Sequence, residues 1–131
     1  MKKVSPMFIL FAGLFLAAVP LLAHHGRGNT YNSSEIVTLE GTVTELAWRN
    51  PHVVLYIDVT DENGNVANWG LESMNVSSLG RRGFSRNTLR PGDEVTAKFN
   101  PAYSDAPRGV IRTIIMTDGT EVLQFGGPID D

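Results

Sequence analysis

Six short runs in which apolar and polar residues alternate, a turn signal after each, and one short helix-forming stretch following the third run predict a mainly β chain. Three strands, a helix and two or three further strands in about 100 residues is the element order of an OB-fold, a small Greek-key barrel. The expected architecture is therefore an OB-fold-like barrel of five to six strands with one short helix between strands three and four. An SH3-like barrel is the nearest competitor, and the helix after the third run argues against it.

The chain opens with Lys2 and Lys3, continues with Val4 to Ala23 free of charge, and then turns polar at His24-His25. A basic start, an apolar middle and a small residue before the break are the parts of a secretory signal peptide, expected over residues 1–23. An uncleaved membrane anchor is the alternative, since the run has nearly the length of a bilayer span, but Pro20 interrupts it near its end. Cleavage after Ala23 leaves 108 residues for one domain and moves the formal charge from −3 to −5, because Lys2 and Lys3 are lost. An acidic balance weighs against nucleic acid, which rewards a basic face, and no nucleic-acid partner is expected. With no cysteine, neither a disulfide, a lipid-bearing cysteine nor a thiolate metal site is available, and packing alone must stabilise the domain. After cleavage the expected compartment is the periplasm or the exterior, with no membrane attachment.

Residues 24–34, rich in Gly, Asn and Ser, form a lead with no hydrophobic period, expected to be loose unless something pins it. The barrel domain is expected over residues 35–125. Its first strand, Ile36 to Trp48, places Val37, Leu39, Gly41 and Val43 on one face before Leu46 and Trp48 take the opposite phase, the signature of a bulge or sharp coil. Asn50-Pro51 makes a turn. His52 to Thr60 follows, with Val53, Leu55, Ile57 and Val59 on one face and His52, Val54, Tyr56 and Asp58 on the other.

Asp61 to Asn65 is a hairpin connection, and Val66 to Glu72 is the third strand, with Ala67, Trp69 and Leu71 on one side. Asn75 is placed to cap a helix over Val76 to Arg82 that stops at Gly83, and Ser85 to Leu89 forms one more turn before Pro91-Gly92. Glu94 to Phe99, Gly109 to Met116 and Glu121 to Phe125 complete the strands. The last residues, 126–131, carry no pattern and are expected to be a disordered tail.

These residues also carry a resemblance. Ala23-His24-His25, Val37 to Val43, Trp48-Arg49-Asn50-Pro51-His52, Trp69 with Glu72, Leu79 to Gly83 and Leu89-Arg90-Pro91-Gly92-Asp93 resemble a family of small exported bacterial proteins known as domain of unknown function 6152. The Asn-Pro-His and Pro-Gly-Asp elements are its most specific parts. The resemblance implies an exported single domain without an assigned activity or assigned site residues. Gly26 stands where the family usually has Ser after the two histidines.

Two constellations carry chemistry. A mature chain that begins at His24 offers an amine and an imidazole on one residue, and a second imidazole from the body completes the T-shaped set called a histidine brace. His24 and His52 are the expected copper ligands, with His25 as an alternative or supporting group, since nitrogen donors in a flat arrangement suit Cu(II). The bland reading makes the three histidines incidental polar residues. Tyr56 and Trp69, with His52 on the same barrel wall and Glu72, Arg81 and Arg82 at the rim, form the second set, a groove for a sugar, a peptide or a small molecule. Its bland reading has Trp48 and Trp69 filling or covering the core.

Enzymatic readings are weaker. Ser73, His52 and Asp58 supply the residue types of a catalytic triad, but no Gly-x-Ser-x-Gly element, phosphate loop or dinucleotide fingerprint is present. The expected function is a non-enzymatic exported binding module, with a copper protein as the alternative and an adaptor that pairs a periplasmic protein through its strand edges as a third possibility.

Overall fold

The computed structural model describes residues 30–126. The expected signal peptide, the histidines His24 and His25, and the tail beyond Gly126 lie outside the described residues. No helix among the described residues is long and apolar enough to cross a membrane.

Six strands and one helix follow in the expected order: β1 (Val37–Ala47), β2 (Val54–Thr60), β3 (Val66–Glu72), α1 (Val76–Gly80), β4 (Glu94–Pro101), β5 (Arg108–Met116) and β6 (Glu121–Gln124). They hydrogen-bond in the order β3-β2-β1-β4-β5-β6, and a parallel pairing of β3 with β5 closes the first five into a barrel. Antiparallel neighbours elsewhere, with β1 shared between β2 and β4, give the OB-fold connectivity and not that of an SH3-like barrel. β6 is an extra strand beside β5.

The long first strand makes closure possible. Its first half, Val37 to Thr42, pairs with β4, and its second half, Thr42 to Ala47, pairs with β2. The register shifts between Val43 and Glu45, where the hydrophobic phase of the sequence switches. Gly41 sits at the handover: a Cβ there would stand 2.7 Å from the Asp58 carbonyl oxygen and 3.1 Å from Val59 Cγ2. The first obstacle is backbone, which no rotamer relieves. Gly41→Ala is therefore expected to destabilise the domain by about 1–3 kcal/mol, read as a lower denaturant midpoint. An unchanged midpoint would show that the two strands separate without cost.

The interior follows the alternation. Leu55 and Ile57 of β2, Leu71 of β3, Ala97 and Phe99 of β4 and Ile111 and Ile114 of β5 are buried in one cluster. One end of the barrel is plugged by the segment after β3, through Leu79, Phe84 and Leu89, each at most 3% exposed. Asn75 caps α1 by accepting the Ser78 amide at 2.8 Å. The helix stops at Gly80, two residues earlier than the spacing predicts, and Gly83 at φ 80° turns the chain so that the Phe84 amide reaches the Leu79 carbonyl at 3.1 Å. In the β2–β3 hairpin Asp61 accepts from the Asn63 and Asn65 amides and from the Asn65 side chain, which holds its carboxyl below the ordinary carboxylate range, the Asn65 side-chain bond contributing most.

Where it is described, the lead does not hang loose. Tyr31 is 7% exposed and bridges Ala102, the Asn32 amide donates to the Pro101 carbonyl at 2.8 Å, and the Tyr103 amide donates to the Thr30 carbonyl at 3.1 Å. The ordered domain thus includes residues 30–34, which the sequence places in the lead. β4 also runs to Pro101, because Asn100 and Pro101 continue the pairing with Val110 and Gly109.

Candidate functional site

His52 ends the turn after Trp48, which contains a cis peptide at Asn50–Pro51, and it heads the outward face of β2. Outward residues come in cross-strand pairs. Val54 stands opposite Glu72, and Glu72 in turn opposite Val110 on β5, which places a carboxylate on the outer wall at the seam where the barrel closes. The Glu72 carboxylate is only 20% exposed and meets His52 Nδ1 at 2.5 Å through Oε1. Its other oxygen, Oε2, accepts from the Tyr31 hydroxyl at 2.7 Å. One carboxylate thereby joins the strand that carries His52 to the segment that leads back toward the N-terminus.

This arrangement sets which imidazole nitrogen is available. A carboxylate can only accept, so the proton lies on Nδ1, and in the neutral ring Nε2 carries the lone pair. The His52 side chain is 42% exposed, and among the described residues its Nε2 has no hydrogen-bond partner. A histidine whose inner nitrogen is held by a carboxylate and whose outer nitrogen faces away is oriented as metal-binding histidines are. Among the described residues no group of three or more His, Cys, Asp or Glu stands close enough to hold a metal.

The expected aromatic groove is not formed. Tyr56 faces outward opposite Gly70, and the absence of a side chain at Gly70 lets the Tyr56 ring lie over it, where a Cβ would be 3.2 Å from Cε1. Trp69 is opposite Ile57 and points inward, its ring 5.2 Å from that of Phe99. Adjacent positions on one strand take opposite faces, so Tyr56 and Trp69 cannot line one wall in this register. Trp48 likewise covers an end of the core, stacked on Phe84 at 6.1 Å.

The two arginines do not rim a site with His52 either. Arg81 folds back to Ser78 Oγ at 3.2 Å, and Arg82 lies over the Phe125 ring at 5.3 Å from its centroid. The residue types of a catalytic triad are also kept apart in role: Asp58 accepts from Asn68 at 2.8 Å, while the carboxylate on His52 is Glu72. Of the expected site residues, the structure brings together His52 and Glu72, and it adds Tyr31. No periodicity marks Tyr31, because a single bridge outside any strand leaves no pattern in the sequence; its lone aromatic ring in a Gly- and Asn-rich lead is the signal that was there to read.

The family model that matches the chain covers residues 13–111 and is described as Family of unknown function (DUF6152). No curated protein and no solved structure matches the chain.

Proposed function

We propose that this chain, which belongs to the DUF6152 family of unknown function, is an exported, non-enzymatic metal-binding module that holds Cu(II) between His52 and a mature N-terminus at His24. The observation that carries the reading is the Tyr31–Glu72–His52 chain of contacts, which orients His52 Nε2 outward and ties the N-terminal lead to the same carboxylate. Only residues 25–30 separate His24 from Tyr31. A stretch of that length spans at most about 25 Å, so His24 is within reach of His52 with no rearrangement of the barrel. After cleavage at Ala23 the amine and ring of His24 supply two nitrogens and His52 Nε2 a third. Three nitrogens in a plane match the tetragonal preference of Cu(II). His25 is the alternative ligand. The role is carriage or sequestration of the ion.

The test is a Cu(II) titration followed by EPR on protein that begins at His24, beside a form with one extra residue before it. The added residue removes the amine while leaving all three imidazoles. A nitrogen-rich signal at one equivalent is expected in the first form, with binding at least about tenfold weaker in the extended form and in His52→Ala, since each loses one ligand. Equal binding in both forms overturns the proposal, as does an exported protein whose sequenced N-terminus is not His24.

A further inference from the structure

A second site, independent of the metal reading, lies where β5 passes the end of β3. Ser73, Met74, Asn100, Val110, Arg112 and Phe125 line a cleft of about 140 Å³. Apolar Met74, Val110 and Phe125 stand in its walls beside polar Ser73 and Asn100, and Arg112 is the one cation among them. The Arg112 Nε is buried, and among the described residues it has no hydrogen-bond partner and the guanidinium is in no ion pair. A buried guanidinium donor without an acceptor is costly, and such groups are normally paired.

Its position is built into the fold. Arg112 lies at the β-bulge where β5 shifts register against β4, its carbonyl accepts the Phe125 amide at 2.7 Å, and Gly126 at φ 92° brings the chain so close that a Cβ would stand 2.5 Å from Nη2. Glycine there leaves the guanidinium in place. The Asn100 amide nitrogen is already engaged, donating to the Glu35 carbonyl at 2.5 Å, so it does not act as a donor in the cleft. Arg82 brings a second positive charge to the Phe125 ring, and it too is in no ion pair among the described residues.

We infer that this cleft binds a small carboxylate with a short apolar tail, its oxygens on the Arg112 guanidinium and its tail against Met74, Val110 and Phe125. The planar fork of a guanidinium matches a carboxylate through two parallel N–H bonds, and apolar walls favour a tailed acid over phosphate or sulfate. The space is well above the roughly 10–15 Å³ that a single water requires, which leaves room for an acid of a few carbons.

The experiment is an NMR titration of isotopically labelled protein with butyrate, benzoate, acetate and butanol, following the amides of β5 and Phe125 and the Arg112 Nε–H. Saturable shifts are expected with butyrate and benzoate, weaker ones with acetate and none with butanol. Arg112→Gln should weaken butyrate at least about tenfold, the loss expected for a charge-assisted pair. Arg112→Lys, which keeps the charge and loses the fork, serves as a second variant should the first fail to fold. The chain's own Asp130 and Asp131 follow Gly126 closely and are a second source of the same chemistry. If only an Asp130→Asn, Asp131→Asn double variant responds to butyrate, the site binds carboxylate and its occupant is the chain's own end. No saturable shift in either background, or equal shifts with Arg112→Gln, overturns the inference.

Discussion

Phe99→Ala is expected to lower the free energy of unfolding by about 3–5 kcal/mol, the range for deleting a fully buried aromatic ring. Phe99 has no exposed surface, and its ring meets Trp69 at 5.2 Å with 49° between the planes. The ring also rests on Gly109, where a Cβ would stand 2.3 Å from Phe99 Cδ2 and 3.0 Å from the Asn100 carbonyl oxygen. The glycine is thus space that the ring occupies, and alanine at position 99 empties it. Strands on both flanks limit collapse, since Phe99 is paired to Val37 on β1 and to Ile111 on β5. A small domain has about 5–15 kcal/mol of stability to lose. With no disulfide to compensate, the variant should show a much lower denaturant midpoint with an unchanged slope. A shift equivalent to less than about 1 kcal/mol would show that the surrounding core closes over the void.

Glu72→Gln is expected to weaken Cu(II) binding at the proposed site by about 10–100-fold, the usual cost of removing a group that orients a metal ligand. The substitution is nearly isosteric, and the amide can still accept from His52 Nδ1–H while donating to the Tyr31 hydroxyl, so the wall keeps its shape. What is lost is the negative charge behind the imidazole and the charge assistance of two short contacts at 2.5 and 2.7 Å. Competition against a chelator of known affinity measures the change, and thermal unfolding without metal separates it from loss of fold. Affinity equal to that of the unaltered protein, alongside lost binding in His52→Ala, would show that the carboxylate holds the lead in place and does not tune the histidine.

The fold was largely legible because its signals are local. Alternation at period two marks all six strands, the phase switch after Val43 marks the bulge, and Asn75 with Gly83 brackets the helix and its closing turn. The candidate site was half legible. His52 and Glu72 stand out as residue types, but their contact joins positions 20 apart across a strand pair, and Tyr31 reaches the same carboxylate from 41 positions away. The aromatic pair misled for a related reason: Tyr56 and Trp69 look equivalent until the β2–β3 register is known, and that register puts Ile57, not Tyr56, opposite Trp69.

By itself the sequence determined the class of fold, the order of its strands and helix, and most of the alternating positions that enter the core, because each follows from periodicity or turn chemistry. Only the tertiary structure decided what meets on the outer wall. Barrel closure through the parallel β3–β5 pairing brings Glu72 beside Val110, and the bulge in β5 sets Arg112 into its cleft. The physical reason is that a one-residue change of register reverses the face of every side chain on a strand, and register is settled by long-range pairing and core packing together.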